Sequence, residues 1–249
     1  KRVDNFYGKG KKGGCDLFVV STNKEKQTIV ENFEYEPDEV INTGLPRWDV
    51  LKDKSQGKRE ILIMPTWRNW LDSVPDKDFE ESDYFRHYMG LLNSERLNQI
   101  LEKYDLEVNF YLHAKFQEYA DTFKSISKRI HLISFGEVAV NEMLMRCRML
   151  ITDYSSVCWD ILYQDKPSLF YQFDIEKYNE AHGSYIDMET ELFGDRAATQ
   201  EQLLDYLEET VQNDFHLKPE YEKMRGEYLQ FKDHEHSRHI CEEIKKRFH

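Results

Sequence analysis

The sequence predicts an α/β protein built on an open parallel sheet, and three features carry that prediction. Short apolar runs of strand length recur along the chain, amphipathic helical spacing fills the intervals, and polar residues gather where strands end. The clearest case is Met149 to Tyr171, MLITDYSSVCWDILYQDKPSLFY. Met149 to Thr152 and Ser168 to Tyr171 read as buried strands, with a helix from about Val157 to Gln164 between them. A single short helical crossover between two apolar runs makes a parallel βαβ unit. Ligands of open parallel sheets sit beyond the carboxyl ends of the strands, and that position here holds Asp153, Tyr154, Ser155 and Ser156. The two serines open a helix, whose first N–H groups lack intrahelical partners and whose dipole is positive there. A serine so placed either caps the helix or adds its hydroxyl to the bare N–H groups and holds a phosphate. Asp153 is a ligand contact or a loop residue.

Composition narrows the function classes. At 249 residues the chain suits one large domain or two small ones. No apolar run reaches the roughly 18 residues of a membrane span, and no secretory signal is visible. The chain opens on Lys1 rather than Met, so it reads as a piece of a longer protein. A net charge of −13, from 47 acidic and 34 basic residues, argues against a protein that coats nucleic acid. Cys15, Cys147, Cys158 and Cys241 lack CxxC spacing, and two lie in apolar contexts, which points to free thiols in a reducing cytoplasm rather than disulfides or zinc. No Walker-type glycine loop is present, against an ATPase.

Taken in order, Lys1 to Lys12 (KRVDNFYGKGKK) is a flexible surface loop, or a cluster in which Lys9, Lys11 and Lys12 face an anionic acceptor or a membrane surface. Asp16 to Ser21 is a strand, Asn23 to Phe33 a helix capped by Thr22 or Asn23, and Glu39 to Thr43 another strand. Residues 1–51 thus close a βαβ repeat at the turn from Gly44 to Pro46. Lys52 to Lys58 (KDKSQGK) is a polar linker and marks the domain boundary. The second body, 58–249, opens on the strand Glu60 to Met64, and Asn69 to Ser82 reads as a mobile loop beside the strand end. Asp83 to Tyr104 is helical with a break at Asn93 and Ser94. Glu107 to Leu112 and Ile130 to Ser134 are strands, Phe116 to Phe123 and Glu137 to Arg148 helices. Beyond Tyr171 come a short helix (Phe173 to Asn179), a helix capped by Thr199, and terminal helices over Pro219 to Phe231 and His234 to Phe248. His234, His236 and His239 do not share one helical face, so they read as solvated side chains and not as metal ligands.

The string ITDYSSVCWDILYQDKPSLFY closely resembles the signature of the CDP-glycerol glycerophosphotransferase family, the teichoic acid polymerases and primases. TGLPRWDVL (Thr43 to Leu51), ILIMPTWR (Ile61 to Arg68) and NEMLMRCRMLITDYSS agree in the family's order, so the likeness spans most of the chain. The resemblance implies a transferase with two Rossmann-like domains of GT-B type. Residues 1–51 would close the N-terminal acceptor domain and form the hinge, and 58–249 would be the C-terminal CDP-polyol-binding domain with its terminal helices. The upstream WHG-type motif thought to supply the family's catalytic base has no counterpart here, so this donor-binding half is not expected to be active alone. Two departures stand out: Leu112, His113 and Ala114 replace an LHP-like triplet, and His182 with Phe193 and Gly194 replaces an arginine and a proline-glycine pair.

On that resemblance Ser155 and Ser156 meet the phosphates together with the helix start, and Asp153 is a further substrate-binding candidate in the same turn. Thr66 and Arg68, a hydroxyl and a guanidinium at a strand's carboxyl end, bind the pyrophosphate. Arg68 by itself would equally suit a surface ion pair. His113 is the catalytic candidate, donating to a phosphate or protonating the leaving oxygen. Glu142 accepts from the two ribose hydroxyls, its alternative being a solvated helical charge. The implied reaction moves glycerol phosphate or ribitol phosphate from a CDP-polyol to a hydroxyl of a lipid-linked teichoic acid, capsule or glycan acceptor, releasing CMP. The implied location is cytoplasmic and peripheral at the inner face of the membrane. No metal ligand set is assigned, and no nucleic-acid partner is expected. Two competing readings are a GT-B glycosyltransferase using a nucleotide sugar and a non-catalytic nucleotide-binding domain.

Overall fold

The computed structural model describes residues 3–248. Lys1 and Arg2, the start of the expected surface loop, lie outside the described residues, as does His249. The chain forms two compact units, divided after Leu51. The first gathers the described residues up to Leu51, His182–Asp187 and those from Lys218 onward; the second holds Lys52–Ala181 and Met188–Leu217. The terminal helices therefore group with the N-terminal unit rather than with a body running from 58 to 249.

The first unit begins with α1 (Asp4–Tyr7), β1 (Phe18–Val20), α2 (Asn23–Asn32) and β2 (Val40–Asn42). The strands are parallel, with Val19 opposite Ile41. Thr22 is the cap of α2, its hydroxyl accepting from the Glu25 N–H at 3.0 Å. Val20, Ile29, Phe33, Tyr35 and Val40 form the core of this unit. The stretch before β1 is tied down, not loose. The Tyr35 hydroxyl donates to the Tyr7 carbonyl and accepts from the Cys15 N–H, both at 3.0 Å. Lys9, one of the lysines expected to face an anion, is paired with Glu39.

The second unit runs β3 (Glu60–Ile63), α3 (Asp76–Glu80), α4 (Asp83–Leu92), α5 (Glu95–Lys103), β4 (Glu107–Tyr111), β5 (Ile130–Ile133), α6 (Val140–Arg146), β6 (Met149–Thr152), α7 (Cys158–Tyr163), β7 (Ser168–Tyr171), α8 (Ile175–Ala181), β8 (Asp195–Ala197) and α9 (Gln200–Gln212). Its six strands are all parallel in the order β5-β4-β3-β6-β7-β8, so the α/β parallel sheet read from the sequence is present. β3, β6 and β7 read as continuous apolar runs because helices cover both faces of a parallel sheet. Ser82 caps α4 and Ser94 caps α5, which is why the long helical pattern breaks at Asn93 and Ser94. Thr199 and Gln202 close a capping box on α9.

Two expectations are corrected in this unit. Residues 69–82 are not an open loop: Leu71 and Phe79 are buried, and the Phe79 ring stacks on Tyr119 with centroids 3.9 Å apart. β8 carried too short an apolar run to be recognised as a strand.

The first unit closes with α10 (Pro219–Tyr228) and α11 (His236–Phe248). His236, expected in solvent, is fully buried against the Trp48 ring, with Nδ1 2.8 Å from the Thr43 carbonyl. Gly44, at φ +74°, leaves the room it needs, since a Cβ there would lie 2.2 Å from Nδ1. The start of α11 is held by Asp49, whose carboxylate accepts from the N–H groups of His236 and Ser237.

β8 reaches β7 only because Gly194 lacks a side chain: a Cβ there would stand 2.0 Å from the Ser168 carbonyl oxygen. Since the obstacle is backbone, Gly194→Ala should cost about 1–3 kcal/mol of unfolding free energy, read from a urea titration. A midpoint equal to that of the unsubstituted chain would show that β8 can shift without loss.

Candidate functional site

The strand order runs outward in both directions from β3 and β6, so the topological switch point lies between their carboxyl ends, where open parallel sheets bind ligands. Register is fixed by Ile61, Leu62 and Ile63 opposite Met149, Leu150 and Ile151. One step beyond, the Thr152 hydroxyl donates to the Met64 carbonyl at 2.7 Å. The connectors after β3, β6 and β7 therefore leave the sheet side by side, and they carry Thr66 and Arg68, Asp153 to Ser156, and Asp174.

Arg68 and Asp153 lock these connectors together. Both side chains are completely buried, and Arg68 Nη2 lies 2.8 Å from Asp153 Oδ2. Arg68 also donates from Nε and Nη2 to the two oxygens of Asp174, at 2.7 and 3.1 Å, and from Nη1 to the Thr66 carbonyl at 2.7 Å. Asp153 Oδ1 accepts the N–H groups of Thr66 and Tyr154, and Oδ2 accepts the Tyr88 hydroxyl at 3.2 Å. Tyr154 donates its hydroxyl to Asp174 at 3.0 Å and stacks on Tyr178. The rings of Tyr84, Tyr154 and Tyr178 lie 4.8 to 5.5 Å from the guanidinium carbon, within cation–π range. Burial alone would lower the Arg68 pKa, but Asp153 and Asp174 outweigh it and hold the group well above its ordinary value.

This arrangement changes two expectations. Neither a surface ion pair nor a free pyrophosphate clamp describes Arg68, because its donors are spent on two carboxylates and a carbonyl inside the protein. Asp153 likewise has both oxygens saturated and faces no solvent. Their part is to fix the turn that follows. Sequence reasoning placed Tyr154 in the turn without giving its phenol a role and did not single out Asp174 or Tyr88; Asp174 lies in the connector that follows Tyr171, the last residue of β7, as Asp153 lies in the one that follows β6.

Ser155 and Ser156 keep their hydrogen-bonding capacity. The cap position of α7 is Val157, which makes no side-chain cap, and the nearest contact of the Ser155 hydroxyl is the Val157 N–H at 3.5 Å. Among the described residues, the Ser156 hydroxyl and the N–H groups of both serines have no protein partner. The Thr66 hydroxyl is buried at the same strand ends without a hydrogen bond. Unspent donors at a switch point suit an anion, which accepts from hydroxyl and N–H alike.

His113 follows β4 and lies nearly parallel to the Trp67 ring, with centroids 6.4 Å apart. Its Nδ1 accepts the Lys115 N–H at 3.2 Å, which leaves Nε2 to carry the proton of the neutral ring. Burial, with Lys115 beside it, lowers the His113 pKa, while Asp153 pulls it the other way. Lys115 Nζ and Lys177 Nζ lie over the Trp67 and Trp70 rings at 5.6 and 5.0 Å, bringing positive charge near the strand ends. Glu142, in the first turn of α6, is not joined to this network. Both of its oxygens accept from Lys54 Nζ, at 2.8 and 2.9 Å, and the pair is partly exposed. Among the described residues no group of three or more His, Cys, Asp or Glu converges as a metal-binding set.

Removing the guanidinium would strand the fully buried Asp153 carboxylate and leave the mostly covered Asp174 without its partner. Arg68→Ala should therefore cost about 3–5 kcal/mol in chemical unfolding. A loss below 1 kcal/mol would mean that water relieves the two aspartates and that the network does not hold the connectors.

Residues 8–246 match the family described as CDP-Glycerol:Poly(glycerophosphate) glycerophosphotransferase. The minor teichoic acid biosynthesis protein GgaB of Bacillus subtilis (strain 168) is 30% identical over 231 residues, covering 87% of this chain and 25% of that protein. The teichoic acid glycerol-phosphate transferase of Staphylococcus aureus (strain NCTC 8325 / PS 47) is 26% identical over 254 residues, 92% of this chain and 60% of that protein. Among solved structures, the wall teichoic acid polymerase TagF superposes with a TM-score of 0.68 at 20% identity, over 93% of this chain and 58% of TagF. The chain thus spans a quarter to three-fifths of the relatives it matches here. With the family pattern running through both units and the TDYSS turn at the switch point, the chain belongs to the CDP-glycerol:poly(glycerophosphate) glycerophosphotransferase family.

Proposed function

We propose that this chain binds the donor in the transfer of a polyol phosphate from a CDP-polyol, glycerol or ribitol, to a hydroxyl of a teichoic acid or related acceptor. The observation that carries the reading is the unspent set of donors at the switch point: the hydroxyls and N–H groups of Ser155 and Ser156 beside the buried Thr66 hydroxyl. Family membership adds the chemical class, since the relatives are named as glycerol-phosphate and ribitol-phosphate transferases and polymerases. A structure of the fold relative TagF is described as soaked with CDPG.

In this reading the diphosphate rests against Ser155, Ser156 and Thr66, and Arg68 and Asp153 act one layer below by fixing the turn. An acceptor alcohol attacks the β-phosphorus, the bond to the bridging oxygen breaks, CMP leaves with the electron pair of that bond, and the alcohol's proton is released to solvent. Charge on the transferring group is met by fixed N–H and hydroxyl dipoles that need no reorganisation during the reaction. His113, neutral with its proton on Nε2, donates a hydrogen bond to the diphosphate or its leaving oxygen. Glu142 takes the ribose hydroxyls, which requires it to exchange its contact with Lys54 for the sugar. The acceptor is lipid-linked, and the whole protein works at the inner membrane face. No described helix is long and apolar enough to cross a membrane.

Calorimetric titration of the chain with CDP, UDP and GDP tests the proposal. CDP should bind best, and Ser155→Ala with Ser156→Ala should weaken it about tenfold or more while moving thermal stability little, because neither serine caps α7. Stability falling with affinity unchanged would return the serines to a purely structural part. For His113 the informative pair is Ala against Gln. Gln supplies an N–H donor and should keep CDP affinity within about threefold, whereas Ala should lose more. Equal behaviour of the two would remove His113 from the site.

A further inference from the structure

Lys166 stands in the run Asp165, Lys166 and Pro167 that enters β7. Its side chain is 5% exposed, which for an ammonium is costly unless the lost water contacts are replaced. The replacements are specific. Nζ donates to the carbonyls of Leu144 and Met145 at 3.1 and 2.7 Å and to Gln164 Oε1 at 3.3 Å, and it pairs with Asp53 Oδ1 at 3.0 Å. Leu144 and Met145 lie in the last turn of α6, where carbonyls lack intrahelical partners and the helix dipole is negative. Asp53 lies in the linker 52–58, one residue before Lys54. We propose that Lys166 is a positioning residue for Glu142, an assignment that rests on the donor-binding reading above, in which Glu142 takes the ribose hydroxyls.

The dependence follows from where α6 is anchored. Its polar ties gather at the carboxyl end: Lys166 on two carbonyls, the Lys54 N–H on the Met145 carbonyl at 2.9 Å, and Arg146 Nη2 on Glu60 Oε1 at 2.8 Å. At the other end Ala139 supplies no side-chain cap, and Glu142 stands in that first turn. Two of the three buried side chains of α6 are Met143 and Met145, whose unbranched chains adapt to more than one packing. The polar ties therefore set the direction of the helix. Glu142 lies only about 5 Å along the axis from the anchored turn, so a displacement there reaches its carboxylate. The same ammonium sets the other half of the Glu142 pair. Through Asp53 it holds the linker, and the neighbouring Lys54 reaches both Glu142 oxygens at 2.8 and 2.9 Å. That pair is partly exposed and exchanges readily, so ribose hydroxyls can replace Lys54 while the helix beneath stays where Lys166 holds it.

Titrations of the chain with CDP, 2′-deoxy-CDP and inorganic pyrophosphate test the assignment. The unsubstituted chain should prefer CDP to 2′-deoxy-CDP, since a carboxylate accepts from both ribose hydroxyls. Lys166→Met should weaken CDP about tenfold and erase most of that preference, while leaving pyrophosphate within about twofold. Glu142→Ala should do the same, and the double variant should be no worse than either alone, because both substitutions remove one contact. Should Lys166→Met not fold, Asp53→Asn keeps the ammonium and its carbonyl contacts but loosens the linker, and should lower the preference about threefold. An unchanged preference for CDP in the folded variant, or a loss of all three ligands by one factor, would overturn the positioning and leave Lys166 a support of the fold. Additive losses in the double variant would overturn it too. Unchanged CDP affinity in Glu142→Ala would remove the ribose contact and the positioning with it, yet leave the phosphate site standing. An unsubstituted chain that binds neither CDP nor pyrophosphate would overturn the donor reading itself.

Discussion

One guanidinium determines how the strand ends of the second unit meet. Arg68 is removed from water completely, and a buried cation persists only where its lost hydration is replaced contact for contact. Asp153 and Asp174 make that replacement from two other connectors, and the Thr66 carbonyl from its own. Three loops that a parallel sheet would otherwise release independently become one body. Removal of any partner leaves a buried charge or an unfilled donor, so the arrangement is cooperative. Tyr88 and Tyr154 extend it, one from α4 and one from the turn itself, by donating to the two carboxylates.

This lock has an electrostatic consequence for the ligand. The cluster holds two carboxylates and one guanidinium, within a chain whose net charge is −13. An anion at the switch point therefore draws little from formal charge below it. Its stabilisation must come from oriented N–H and hydroxyl dipoles and from lysines at the rim, such as Lys115 and Lys177 beside Trp67 and Trp70. Dipoles held by the lock are already aimed, whereas rim lysines are solvated and screened by salt.

Much of the fold was legible because it is written in local pattern. The strands β3, β4, β6 and β7 announce themselves as apolar runs, and Thr22, Ser82, Ser94 and Thr199 mark helix starts by chemistry that acts over three residues. The candidate site was legible as a place, the carboxyl ends of the strands, and less so as a set of roles. Whether Arg68 faces a ligand or a carboxylate depends on Asp174, 106 residues away, and no local spacing records that pairing. The same reason hid the burial of His236, which needs Thr43 and Trp48 from the far end of the chain, and the packing of Phe79 on Tyr119. β8 was missed for a different reason: three residues, one of them apolar, give no period to detect.

The distribution of rigidity across the strand ends follows from these contacts and bears on how a donor would be held. At the switch point every charged group is internally paired, so the turn after β6 has one arrangement to offer. Toward the β5 edge the groups are of another kind: the Glu142 carboxylate is held by one exposed lysine, and His113 by one N–H and a ring face. Exposed ion pairs and ring faces exchange partners at little cost, whereas buried pairs do not. A ligand lying from β6 to β5 would therefore meet a fixed anion site at one end and adaptable contacts at the other. That order suits a transfer in which the reacting phosphorus must be placed to within a fraction of an ångström while the nucleoside serves as a handle, because positional error matters only where bonds change.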